Sequence, residues 1–307
     1  MSNPQPFISA RLAKNAKRNL IERLIELLLM LAAFFAVLTT LGIVYILLSE
    51  SLQFFKTVSL IDFFTDTQWT PLFENAHYGI LPLISGTITT SLVALAVAIP
   101  MGTICAIYLS EFAPHRVREI VKPILELLVG VPTVVFGYFA LLVVTPLLQI
   151  LFPELPGFNM LGAGIVMGIM IIPYISSVAE DAMRAVPMSM REAAYAMGAT
   201  RFQVAIQVIT PAATSGIVAA YILGISRALG ETMVVAIAAG QQPNLSFNPM
   251  DSAATVSAYI VQVALGDLAH GSIGYQSIFA AGLVLIVLTL SLNIIGHLTR
   301  KKFREYY

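Results

Sequence analysis

Arg227 and Glu231 are the residues of this 307-residue chain most able to do chemistry, because of where they lie. No other charge occurs between Phe202 and Met250. At a spacing of i, i+4 the two fall on nearly one face of a helix. Counted from Ala212, Arg227 lies about 22 Å along that helix, near the middle of a bilayer. An isolated arginine there costs at least ~2.5–3.5 kcal/mol, and a carboxylate partner offsets part of that. Two readings follow. The pair is neutral and fixes helix packing, or Arg227 contacts an anion in a pathway while Glu231 holds it when substrate is absent. Guanidinium forks fit tetrahedral oxyanions, and intramembrane ionisable pairs are functional by default, which favours the second reading.

Other chemistry is hard to find. The one cysteine, Cys105, lies in an apolar run and reads as packing. The four histidines (His77, His115, His270, His297) have no paired ligand spacing, so no metal site is expected. There is no phosphate loop, no HExxH, no calcium loop and no nucleophile–base pair in one segment. No catalytic residue and no cofactor are therefore expected in this chain, and any ATP and Mg would be bound by a partner. With 17 basic and 17 acidic residues, nothing points to nucleic acid.

The elements that must hold Arg227 are membrane spans. Hydrophobic residues make up 58% and charged residues 11%, too few charges to cover a soluble surface of this size. Uncharged runs longer than the ~20 residues of a transmembrane helix recur along the chain. Six spans fit: about 27–49, 79–104, 127–149, 161–179, 212–240 and 273–296. The fold class expected is an all-α polytopic membrane protein. Pro100, Pro132, Pro146 and Pro173 interrupt spans, which a bundle tolerates. The first apolar run begins too late, and is too long, for a cleavable signal peptide.

Fifteen of the seventeen Lys and Arg fall on one side of this topology. They are Arg11, Lys14, Lys17, Arg18 and Arg23; Arg116, Arg118 and Lys122; Arg184, Arg191 and Arg201; and Arg300, Lys301, Lys302 and Arg304. The positive-inside rule then makes the segment 1–26, the tail 297–307 and hence both termini cytoplasmic. The first outer loop, 50–77, carries Asp62, Asp66 and Glu74. Its aromatics, Phe54, Phe55, Phe63, Phe64 and Trp69, read as interfacial anchors. In span five, Gly216, Ala220, Gly224, Ala228, Thr232, Ala236 and Gly240 form a small-residue stripe for close helix packing. Gly164 and Gly168 form a shorter one in span four.

The cytoplasmic segment 180–211 is too structured for a plain connector. Pro187 and Gly198 punctuate it into two short helices with a turn near Gly198. Ala193, Ala194, Ala196 and Met197 offer a small apolar surface for another protein to grip, or for lipid to cover. Glu192-Ala193-Ala194, Gly198 and Pro211 resemble the EAA loop of ABC-importer permeases, with Val208 and Thr210 where that family has Ile and Leu. In that family the loop docks into a groove of the ATPase and transmits its closure.

A wider resemblance narrows the expectation. Tyr78-Gly79-Ile80-Leu81-Pro82, Glu111-Phe112-Ala113-Pro114, Glu126 to Pro132, Ile172-Pro173-Tyr174 and above all Arg227-Ala228-Leu229-Gly230-Glu231-Thr232-Met233 resemble the C-type permease subunits of bacterial high-affinity phosphate importers. The similarity runs from about Trp69 to the end, and much of it is shared with the sister A-type subunits. It implies a type I ABC-importer permease in the bacterial plasma (inner) membrane, translocating inorganic phosphate inward by alternating access. The implied partners are a homologous A-type permease subunit, two cytoplasmic ATPase subunits and an extracytoplasmic phosphate-binding protein. The arginine and glutamate matching Arg227 and Glu231 are implicated there in phosphate passage. A permease for phosphonate, sulfate or molybdate would keep the same loop and arginine, and a secondary transporter or channel would need no ATPase.

Overall fold

The computed structural model describes residues 5–302 apart from 72, 74 and 267, with side chains described between 21 and 299. Glu74 and the side chains of Arg11, Lys14, Lys17, Arg18, Arg300, Lys301, Lys302 and Arg304 therefore lie outside the description. The chain forms two compact units, 1–50 and 51–307. The first holds most of helix α1 (Gln5–Thr57). Its apolar side chains from Leu27 to Leu41 are exposed, among them Leu31, Phe34 and Leu38. That leaves a continuous apolar rod suited to hydrocarbon.

The second unit has only helices among its described regular elements. It contains α2 (Leu60–Thr65), α3 (Leu81–Ile107), α4 (His115–Val129), α5 (Thr133–Phe139), α6 (Thr145–Leu151), α7 (Met160–Arg184), α8 (Met188–Ala196), α9 (Arg201–Gln203), α10 (Thr210–Ala212), α11 (Thr214–Leu229), α12 (Met233–Ala238), α13 (Val256–Ala264) and α14 (Ile273–Lys302). Among the described residues there is no β-strand, only isolated bridges at Trp69–Tyr78 and Gly240–Ala253. Five stretches are long and apolar enough to cross a membrane: Ile21–Thr57, Leu81–Phe112, Thr133–Leu151, Met160–Arg184 and Ile273–Thr299. A sixth candidate is a pair, Arg201–Ala212 and Thr214–Leu229, bent by 74°.

Helix α7 is the centre of the bundle, and small residues decide its neighbours. Gly164 meets Val93, Gly168 meets Ala94 and Val97, and Gly102 meets Ile175, so α3 and α7 run parallel. A Cβ on Gly168 would stand 2.7 Å from the Ala94 carbonyl oxygen, which only glycine avoids. On the other side α11 runs antiparallel to α7. Gly216 packs on Ala182, and Gly224 packs on Ile171 and Ile175. Helix α14 runs antiparallel to α11, with Gly296 against Ile222 and Asn293 Oδ1 accepting a 2.6 Å bond from Ser226 Oγ.

The stripe of small residues in span five does not continue unbroken to Gly240. The helix stops at Leu229, Gly230 caps it and α12 starts afresh at Met233. Span three also begins differently from a helix over 127–149. Residues 127–129 end α4, and the backbone is extended at Pro132 before α5 starts at Thr133. Pro132 lacks an N–H to continue α4, and it biases the residue before it away from helix.

Three π-helical turns interrupt the bundle, at Tyr108–Phe112, Ala140–Val144 and Val204–Ile209. A proline follows two residues after each: Pro114, Pro146 and Pro211. At Pro146 and Pro211, which stand inside helices, the ring would clash with the carbonyl four residues back, and the wider π turn moves that carbonyl aside. Pro114 is extended and starts α4 after the first turn has ended α3.

The loop aromatics are not lipid anchors. Phe54, Phe63 and Trp69 are buried, with Phe54–Phe63 and Trp69–Tyr259 packed edge to face at 5.9 and 5.0 Å. With Ile80, Leu83, Ile278 and Ala281 they make a second core where α13 and α14 meet the start of α3. Each ring buries more apolar area in a core than at an interface, and edge-to-face contact adds about 0.5–1.5 kcal/mol per pair. Phe64 alone remains exposed, at 50%.

Candidate functional site

The Arg227–Glu231 pair straddles a helix break. Arg227 is in the last turn of α11, and Glu231 lies in the three-residue gap before α12. Arg227 Nη2 is 4.0 Å from Glu231 Oε2, beyond hydrogen-bond length. The two side chains differ in setting: Glu231 is 5% exposed and Arg227 39%. The arginine Nε is buried without a hydrogen-bond partner among the described residues. Its guanidinium carbon sits 5.3 Å from the ring centroid of Tyr174 on α7, a cation–π contact. The guanidinium is thus held by a ring face, and its N–H groups keep capacity for a further acceptor.

Glu231 is anchored by its backbone. Its carbonyl accepts a 2.6 Å bond from Ser257 Oγ, and its Oε1 accepts a long 3.5 Å bond from the Val234 amide. Around the carboxylate lie Thr87, Thr90 and Ser91 of α3, with Thr255 and Met167. Thr87 Oγ1 accepts from the Val256 amide at 3.0 Å, fixing the start of α13 against α3. The hydroxyl run in span two, from Ser85 to Ser91, is the signal that could have pointed to this lining. Tyr174, by contrast, is 53 residues from Arg227 and invisible to local spacing.

The segment 188–211 forms the second candidate surface. Helix α8 presents Glu192 and Ala193 outward, and Tyr195 and Met197 are 44% and 88% exposed. Ala194 turns inward, half-buried against the core beside Ala199. Gly198 has φ +82°, a left-handed turn that side chains resist, and so ends α8 sharply. Thr200 then caps α9 in a reciprocal box with Gln203. Pro211 follows the π turn and is exposed in α10. Helix α8 packs on that π turn.

Between α4 and α7 lies an ionic layer that sequence reading missed. Glu180, fully buried at the end of α7, has Lys122 Nζ at 2.9 Å, Arg118 Nε at 3.3 Å and Arg184 Nη1 at 3.7 Å. Lys122 also reaches Asp181 at 2.9 Å. Partial burial alone would push the Lys122 ammonium down, but the two carboxylates hold it above the ordinary lysine range. A buried carboxylate needs such partners. Helix α4, which carries two of them, is tied to α7 by charge.

A family profile described as "Binding-protein-dependent transport system inner membrane component" matches residues 98–305. The chain is 35% identical over 278 residues to the "Probable ABC transporter permease protein YqgH" of Bacillus subtilis (strain 168), covering 90% of this chain and 88% of that one. It is 34% identical over 258 residues to the "Phosphate transport system permease protein PstC" of Xylella fastidiosa (strain 9a5c), covering 78% of each. Among solved structures, a bacterial ABC transporter involved in the import of the acidic polysaccharide alginate superposes with a TM-score of 0.63. That match covers 96% of this chain and 100% of that one at 18% identity, and at that identity it speaks to the fold alone.

Proposed function

The chain belongs to the family of binding-protein-dependent transport system inner membrane components, and from that membership we propose that it is the permease subunit through which an ATP-driven importer passes inorganic phosphate. As a member it is a multi-pass inner-membrane protein and a non-catalytic transport subunit, and the ATPase is a separate partner. Phosphate as the cargo is supported by relatives named for phosphate transport. One observation carries the site: a guanidinium stacked on Tyr174, four-tenths exposed, whose nearest carboxylate stands back at 4.0 Å. A tetrahedral oxyanion can take up its unused donors, and Glu231, buried behind it, keeps the positive charge balanced when the anion leaves.

In this reading a homologous permease of the A type completes the pathway. Two cytoplasmic ATPases bind ATP and Mg. One docks on the loop 180–211 of this chain, where Glu192, Ala193, Tyr195 and Met197 are offered and Ala194, Gly198 and Pro211 shape the surface, and the other docks on the matching loop of the partner permease. Both termini face the cytoplasm, and a phosphate-binding protein meets the opposite face. Closure of the ATPases drives alternating access.

ATP-dependent uptake of labelled phosphate into vesicles holding the reconstituted complex tests the proposal, with sulfate, molybdate and phosphonate as competitors. Uptake blocked by unlabelled phosphate alone supports it. Stronger competition by another oxyanion moves the cargo assignment to that anion.

A further inference from the structure

Two arginines bracket the exposed face of α8 and its turn: Arg191 just before Glu192, and Arg201 just after the turn at Gly198. Both return to adjacent residues of one irregular element, the π turn Tyr108–Phe112 that ends α3. Arg191 Nη2 donates to Glu111 Oε1 at 3.1 Å and to the Met183 carbonyl at 2.8 Å. Arg201 places its guanidinium carbon 5.5 Å from the Phe112 ring centroid. Ser110 Oγ donates to the same Glu111 oxygen at 2.7 Å, which fixes the acceptor. The Arg191–Glu111 pair is nearly dry, with side chains 16% and 8% exposed. At 3.1 Å the bond is of ordinary length, and exclusion of water strengthens its electrostatic part.

We infer that Arg191 and Glu111, seconded by Arg201 and Phe112, are positioning residues that couple the docking segment to α3, so that force applied to α8 reaches the bundle through the π turn as well as along the chain into α11. The inference rests on the reading of 188–198 as the ATPase-docking surface. Helix α3 is parallel to α7 and locked to it at Gly164, Gly168 and Gly102, so motion of α3 carries the helix that bears Tyr174. Along the chain α8 is joined to α7 through 185–187 and to α11 through the 74° bend between α10 and α11, and the π turn adds a side-chain route beside these two.

Cys105, the only cysteine of the chain, sits in α3 three residues before the π turn and is partly exposed, so it reports on that helix. The test uses the assembled complex in vesicles, with and without ATP and vanadate. Alkylation of Cys105 by a small membrane-permeant maleimide is followed by mass spectrometry of its peptide. In the wild type the rate should change at least threefold with nucleotide. In Arg191→Gln and in Glu111→Gln that response should fall below 1.5-fold while co-purification of the ATPase persists, and the double variant should be no worse than either single one. Arg201→Gln with Phe112→Leu, which leaves the buried pair intact, should weaken the response by an intermediate amount. This second pair decides the matter if the buried-pair variants fail to assemble. A nucleotide response that persists in all of these variants, or none in the wild type, overturns the inference. Failure of the wild-type chain to hold an ATPase overturns the docking reading instead, and the two failures are distinct.

Discussion

Arg227 and Glu231 face each other across a helix break, with Nη2 and Oε2 4.0 Å apart and the carboxylate far more buried than the guanidinium. A pair on one continuous helix would be fixed by the i, i+4 geometry alone. Here Gly230 and Thr232 give the carboxylate its own backbone setting, tied to Ser257. Arg227→Gln is expected to reduce phosphate uptake by at least tenfold, with ATPase co-purification unchanged. Wild-type uptake by the variant would make the arginine a packing residue. Tyr174→Leu, which removes the ring beneath the guanidinium, should raise the half-saturating phosphate concentration more than it lowers the maximal rate.

Glu180 collects Lys122, Arg118 and Arg184 while itself fully buried. Glu180→Ala leaves three cations without their shared carboxylate. Their partial exposure lets water return, so the loss should lie near the lower end of the ~3–5 kcal/mol for breaking a buried pair. Thermal unfolding in detergent is the measurement, and a midpoint unchanged within error would show the layer to be dispensable.

Gly198 holds φ +82° with open space where a Cβ would stand. Gly198→Ala should therefore cost about 1 kcal/mol through backbone strain alone. Gly198→Pro cannot adopt the turn at all and should uncouple hydrolysis from uptake. Parallel assays of phosphate released and phosphate imported read this directly.

Gly168 lies against the Ala94 carbonyl on α3. Gly168→Leu should separate α3 from α7 and destabilise the bundle by roughly 1–3 kcal/mol or more. Gly157→Leu, where nothing stands within 4 Å of the new Cβ, serves as the control in the same melting experiment.

Asp66 sits beside His77, with Oδ2 and Nδ1 2.8 Å apart, and accepts from the Gln68 amide at 2.9 Å. Desolvation raises its pKa, but the Gln68 and Thr67 amide bonds and the contact with His77 together outweigh it, leaving the carboxyl below the ordinary aspartate value. A carboxyl depressed in the folded state adds stability that is complete above the unfolded value of about 3.9 and is lost as pH falls through the folded value. Trp69 is the only tryptophan, and it is bridged to Tyr78 in this same loop. Its fluorescence should therefore change on acidification below about pH 4. In Asp66→Asn that acid-linked change should be reduced.

The all-helical membrane fold was legible because hydropathy is a local signal, as was the punctuation by Pro187 and Gly198. What stayed hidden depended on contacts distant in sequence or on a break whose residues also fit a continuous helix. The stop at Gly230 falls between Arg227 and Glu231, whose i, i+4 spacing also fits an unbroken helix, so span five read as one helix. Glu180 and Lys122 are 58 positions apart, and only the packing of α4 on α7 brings them together. Aromatics in a loop between spans carry no mark that separates an anchor from a core residue. The fold buries Phe54, Phe63 and Trp69 because α13 supplies Tyr259 across from them.

The π turns at 140–144 and 204–209 each hold one residue more than the α-helix they interrupt, and a residue is worth about 100° of rotation. If that surplus could travel, the helix beyond it would spin about its axis. The proline two places on prevents this, because the missing N–H leaves the wider turn nowhere else to settle. The surplus residues at 140–144 and 204–209 are therefore fixed in place, and the helices beyond them keep the faces they present to one another.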